Sequence, residues 1–206
     1  MTTEPNYERA YAYAHDRLRL DLPANLSYHN AYHTLDEVLP AAERLAAMAG
    51  LNGEDVLLLR TAALYHDLGY IETRAGHEEA SVRIATATLP QFGYAPHHLA
   101  RIAALIRATK VPQQPGNLLE QIMADADLDA LGGSNFLTRN ADLRAEMAAY
   151  GQAMPDLDWY RYEVTFLQEH SYFTPMARAL RETGKQHNLE TVLALVASSE
   201  GAHEPD

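Results

Sequence analysis

Apolar residues recur along this chain at helical spacing. Stretches of about 12–20 residues, rich in Ala and Leu and free of β-branched runs, are separated by polar breaks. Pro5 to about Leu20 forms the first expected helix. Ser27 is placed to cap a second, from Tyr28 to about Met48, which Gly50 ends. Pro40 falls inside that run and should kink or split it. Asn52-Gly53 starts a strongly apolar helix that runs into TAALYHDLGY. Gly76 precedes HEEASVRIATATL, which stops before Pro90. Pro96 opens HHLARIAALIRATK, and Pro112 to Gly116 closes it. Asn117 can cap a helix carrying Asp125 and Asp127, which Gly132-Gly133 ends. Ser134 caps the next, to about Tyr150. Pro155 to His170 and Pro175 to Ser198 supply the last helices, and SSEGAHEPD reads as a frayed tail. There is no internal repeat and no heptad run. The expectation is an all-α, single-domain helical bundle over residues 1–206, with short connections.

Composition narrows the chemistry. The 206 residues are 47% hydrophobic, enough for one globular core. There is no Cys, so any metal must be held by His, Asp and Glu. Nitrogen and oxygen donors suit Mg, Mn, Fe, Co, Ni or Zn without selecting one. The formal charge of −12 argues against general binding to nucleic-acid backbones. The start, MTTEPNYERA, lacks a basic and then apolar leader. No apolar run approaches the roughly 20 residues of a membrane span, so a soluble, cytoplasmic protein is expected.

The candidate chemistry centres on His66-Asp67, at the end of the apolar helix and just before Gly69. A carboxylate there stands against the helix dipole, which calls for a compensating cation. His33 lies upstream in YHNAYHTLDEV, and two acids lie downstream in QIMADADLDALG. His33, His66, Asp67 and one of these acids supply two imidazoles and two carboxylates from three helices, with coordination positions left open. An ion held that way lowers the pKa of a bound water and polarises a phosphoryl oxygen. Asp125 and Asp127 are about 200° apart on a helix, so only one can join the set. Helical phase alone leaves both open.

This order of His, His-Asp and distant Asp in a helical chain resembles the HD-domain superfamily of metal-dependent phosphohydrolases. The likeness covers roughly residues 26–135, with YHNAYH, YHD, HEEAS and DADLDALG most like a bacterial subgroup of predicted phosphohydrolases. The helices at 134–199 are expected to pack on that core. In the family the last Asp follows two apolar residues, two variable ones and an Ala. That pattern favours Asp127, with Asp125 as the competing choice. The resemblance implies one divalent ion on His33, His66, Asp67 and Asp127, and a small phosphorylated substrate, a nucleotide among the options. Some relatives bind a second ion through further histidines. Those are incomplete here, since His97-His98 reads as a surface pair and Thr109-Lys110 stands where an imidazole would be expected. One ion is therefore expected rather than two. Several relatives also carry a catalytic Glu at the position of Tyr70, which leaves the general acid unassigned.

Asp67, His29 and His77 are the catalytic candidates. His29 shares a helix face with His33, and His77 opens the helix after the doublet. Lys110, Arg139 and Arg144 are candidates for the substrate phosphate. Glu78 and Glu79 read as ordinary first-turn acids. A non-catalytic module that binds a nucleotide or a protein and keeps the metal as a staple is the alternative. A di-iron oxygenase is a third class, disfavoured by the incomplete histidine set. A homo-oligomer is left open.

Overall fold

The computed structural model describes residues 4–201, and these contain helices and connections but no strand. The chain divides into two compact units, one ending at Leu128 and the other beginning at Asp129.

The first unit is built around a helix whose C-terminal half is almost wholly buried. Helix α1 (Tyr7–Leu20) precedes a π-helix, His33–Val38, which runs straight into α2 (Leu39–Met48). Helix α3 (Gly53–Tyr65) follows, then a 3-10 turn at Leu68–Ile71, α4 (His77–Thr88), α5 (Pro96–Arg107) and α6 (Leu118–Asp127). Leu58, Leu59, Ala62, Ala63, Leu64 and Tyr65 of α3 are fully inaccessible. A helix apolar all round belongs at the centre of a bundle, and α3 packs against α1, α2, α5 and α6. Each such Leu contributes on the order of 2 kcal/mol of burial. This anchors the helix end that carries His66-Asp67.

Local departures from the sequence expectation have identifiable causes. Helix α1 starts at Tyr7 rather than Pro5, because Asn6 caps it by accepting from the Arg9 amide. Ser27 does not cap the second run. Asn30 does, its Oδ1 accepting from the amides of Tyr32 (3.0 Å) and His33 (3.3 Å), so helix begins at Ala31. The run divides near Pro40 through a change of winding. In an α-helix the proline ring would meet the carbonyl of Asp36. Here the helix is continuous, and its winding changes from π to α between Val38 and Leu39, just ahead of Pro40.

The second unit opens with a 3-10 turn, Asp129–Gly132. Helices α7 (Phe136–Ala149), α8 (Asp156–Glu169) and α9 (Pro175–Gly201) follow. Helix α6 thus ends before Gly132-Gly133, and α7 begins behind Asn135, not Ser134. Ser198–Gly201 continue α9 instead of fraying, and residues 202–206 lie outside the described residues. Gly132 and Gly184 let α9 touch the 3-10 turn. A Cβ on Gly184 would lie 2.2 Å from the Gly132 carbonyl oxygen. Arg181 grips Asp129 with two bonds, at 2.9 and 2.6 Å, and Trp159 Nε1 donates to Asn140 Oδ1 at 2.8 Å.

Glu163, on α8, is buried. Burial, partly offset by a hydrogen bond from Asn140, raises its carboxyl from 4.5 to about 7. An acid whose folded pKa is raised favours the folded state most below the unfolded value, and that advantage is lost as pH climbs through the folded one. The cost at pH 8 is at most about 3 kcal/mol. Glu163→Gln should therefore melt a few degrees above wild type at pH 8. The gap should shrink steadily as the pH falls from about 7 to 4.5. A pH-independent gap in thermal scans would contradict this reading.

Candidate metal centre

Three histidine rings have their Nδ1 atoms turned to acceptors, which sets the direction of their Nε2 atoms. His66 Nδ1 lies 2.8 Å from the Ala63 carbonyl, one turn back on α3. His33 Nδ1 lies 3.3 Å from Glu37 Oε2 within the π-helix. His77 Nδ1 lies 3.2 Å from the Arg74 carbonyl. A carbonyl or carboxylate accepts only, so Nδ1 carries the proton in each neutral ring and the Nε2 lone pair is free to bind.

These Nε2 atoms converge on two carboxylates. His66 Nε2 is 3.3 Å from Asp67 Oδ2 and 3.2 Å from Asp127 Oδ1. His33 Nε2 is 3.3 Å from Asp127 Oδ1 and 3.8 Å from Asp67 Oδ2. His77 Nε2 is 3.5 Å from the other Asp67 oxygen, Oδ1. His33, His66 and Asp67 are each 2% exposed or less, so water does little to screen them. His66 Nε2 and Asp67 Oδ2 are buried without any hydrogen-bond partner among the described residues.

Lone pairs and carboxylates facing each other in a buried site repel unless positive charge lies between them. Burial works against charge on His33, but Asp127, Glu37 and Asp67 outweigh it and hold the ring above its ordinary value. Burial likewise opposes the charged form of His66, and Asp67 and Asp127 lift it well above that value. Burial would raise Asp67, yet His66, His29 and His33 hold it far below the usual carboxylate range. Without a metal the site gathers protons. The residues therefore fit a divalent cation, which can do the same work with one ion.

Local structure explains the doublet's place. Helix α3 ends at Tyr65, and the chain turns sharply into the 3-10 helix. Ser81, fully buried on α4, closes that end: its hydroxyl accepts from the Gly69 amide and donates to the His66 carbonyl. Ser81→Ala strands both backbone groups and should cost about 1–3 kcal/mol. This is readable as a loss of a few degrees in Tm. An unchanged Tm would mean that the two groups find other partners.

His33, His66 and Asp127 bring ligand atoms within 4.8 Å of one another, Asp67 joins them through its contacts with the two rings, and Asp125, also buried, is not in that group. The His29 ring stacks on Tyr70 with centroids 4.6 Å apart, and Tyr70 stacks on His77 at 4.0 Å. The two candidate histidines thus stack on one tyrosine, with their own centroids 6.2 Å apart. His97 and His98 approach Glu54, from the first turn of α3. His98 Nδ1 accepts the Ala95 amide at 3.0 Å, however, so its proton sits on Nε2, 3.4 Å from Glu54. That ring caps a helix and has no lone pair left for an ion. Arg139 and Arg144, in the second unit, are bound to Asp142 and Asp156. Among the described residues no ion pair takes up Lys110, and none joins it to the cluster. Glu37 and Ser81 were not singled out from sequence. Glu37 stands four residues after His33, a spacing that carries the signal. Ser81 left none.

Residues 31–130 match the family model described as HD domain. Over these residues the chain belongs to the HD-domain superfamily. That superfamily includes metal-dependent phosphohydrolases, and HD domains bind divalent metals. The fold is shared with solved structures. A predicted HD superfamily hydrolase from an uncultured Thermotogales bacterium is 21% identical, with 94% of this chain and 93% of that one covered and a TM-score of 0.62. A Lactobacillus plantarum protein is 20% identical over 98% and 100%, with a TM-score of 0.70. Bacillus subtilis YpgQ, solved in complex with ADP, is 20% identical over 92% and 96%, with a TM-score of 0.63. Comparison with curated proteins gives no match. Among the described residues of this HD protein, no helix is long and apolar enough to cross a membrane.

Proposed function

We propose that this HD protein is a metal-dependent phosphohydrolase acting on a small phosphate ester, with nucleotides as the first class to test. The observation that carries the reading is the convergence of the His33 and His66 Nε2 atoms on Asp67 and Asp127, in a pocket where His66 Nε2 and Asp67 Oδ2 lack any other partner. These four residues would hold one divalent ion, which supplies Lewis acidity toward water and phosphoryl oxygen. Asp67 has a second oxygen, Oδ1, turned to His77 Nε2. This pair can hold a proton between them and pass it from His77 to the leaving oxygen of the ester. Tyr70 stacks on both His77 and His29, whose own ring centroids lie 6.2 Å apart, so the three rings form one cluster beside Asp67. The ADP bound to the B. subtilis neighbour supports nucleotides as the place to begin.

A panel of nucleoside mono-, di- and triphosphates and p-nitrophenyl phosphate, assayed with Mn²⁺, Mg²⁺, Co²⁺, Ni²⁺, Fe²⁺ or Zn²⁺, tests this. The expected result is turnover of at least one ester that chelation stops and a single metal restores. Tight metal binding with no turnover across the panel would favour the non-catalytic alternative.

A further inference from the structure

The metal cluster owes one of its ring orientations to a side chain, and that side chain is replaceable. His66 and His77 lean on the backbone carbonyls of Ala63 and Arg74, which no substitution removes. His33 has its Nδ1 acceptor on Glu37, 3.3 Å away, one turn along the π-helix. Both side chains are well shielded, at 2% and 12% exposure. We propose that Glu37 is a positioning residue: its carboxylate accepts a hydrogen bond from Nδ1–H of His33 and aims Nε2 at Asp127, so that the ring meets the metal ready oriented. This rests on the reading of the cluster as a metal site.

The physical case has three parts. A carboxylate on Nδ1 makes the opposite ring nitrogen a better electron donor than a neutral carbonyl does. The amides of Tyr32 and His33 are already taken by Asn30 Oδ1, so the backbone entering the π-helix is fixed independently of Glu37. The ring's rotation is then set by Glu37 at Nδ1, by Asp127 at Nε2 and by Tyr28, whose ring centroid lies 4.9 Å away, and Glu37 is the one of these that fixes which nitrogen carries the hydrogen. Asp36, the preceding acid, is exposed and lines a surface groove with Arg19 and Tyr32. It has the same charge at nearly the same distance along the chain, but it does not touch the ring. This makes Asp36 an internal control for charge alone.

The test is Zn²⁺ affinity, measured by competition with a chromophoric chelator, for wild type, E37A, E37Q, D36N and H66A. The Tm of each metal-free protein is recorded alongside. E37A should bind Zn²⁺ roughly 10–100-fold more weakly than wild type. E37Q keeps an oxygen that can accept the Nδ1 proton and should lose less. D36N should match wild type. If alanine loosens the fold, E37L fills the space without an acceptor and should show the same loss as expected for E37A. A purely structural role would make affinity follow Tm and would not grade with the acceptor. Wild-type affinity in E37A or E37L would overturn the proposal, as would an equal loss in D36N. A wild type that binds Zn²⁺ no better than H66A would overturn the metal reading itself, and that outcome is distinct from the other two.

Discussion

Asp67→Asn is expected to lower hydrolysis by more than about 1,000-fold, equivalent to about 4 kcal/mol of lost transition-state stabilisation. The substitution keeps the shape of the side chain and removes its charge. Asp67 faces both halves of the site: Oδ2 lies against His66 and His33, and Oδ1 lies against His77. An amide cannot balance a cation on the first side and cannot hold a proton on the second. The loss should therefore exceed that of His77→Ala, which removes only the proton partner. Metal-free Asp67→Asn carries a separate signature. The native carboxyl is held far below its ordinary value by the surrounding imidazoles. Its contribution to stability is present above the unfolded pKa and is lost as the pH falls through the lower folded one. Without metal, wild type should be the more stable at pH 7, and the difference should vanish in strong acid. Equal kcat/KM for wild type and Asp67→Asn with a saturating ion would contradict the assignment.

Gly69→Ala should be the most damaging single methyl group in the first unit. A Cβ at Gly69 would lie 1.9 Å from the His77 carbonyl oxygen and 2.7 Å from the Ser81 amide nitrogen. Both are backbone atoms at the start of α4, so no side-chain rotation can relieve the clash. Helix α4 must move away from the turn that follows the doublet. Overpacking of this kind costs about 3 kcal/mol or more, or on the order of 10 °C in Tm for a chain of this size. The displacement carries His77 away from Asp67 and pulls Ser81 off the His66 carbonyl. Activity should thus fall even below the new melting temperature, while the metal, held by ligands that do not lie on α4, should persist. Calorimetry and metal content on the same sample check both halves. A Gly69→Ala protein with wild-type Tm would contradict the packing argument.

The parts of this site that were legible in the sequence are those fixed by local spacing. The apolar run into YHD marks a buried helix that ends on a polar doublet, and α3 is that helix. Helical phase narrowed the last acid to two choices without deciding between them, because phase fixes a face only relative to neighbours that the sequence does not place. The resemblance favoured Asp127, and Asp127 is the acid found beside His33 and His66. What was missed depended on winding or on distant partners. Asn30, not Ser27, caps the second run, and the π-helix that follows is one that no periodicity rule anticipates. Arg139, a candidate for the substrate phosphate, meets Asp142 three residues on, a pairing that spacing could have revealed. Arg144 meets Asp156 across a loop, and nothing local foretells that pair.

The most direct test of the metal centre is elemental analysis of wild type beside His66→Ala, both incubated with excess divalent metal and desalted. His66 is 1% exposed, and its Nδ1 is held by the Ala63 carbonyl. Its ring therefore serves the cluster through Nε2. About one divalent ion per wild-type chain and almost none in His66→Ala is the expected result. Equal metal in a folded His66→Ala would contradict the account, because the ion would then be bound somewhere other than between these side chains.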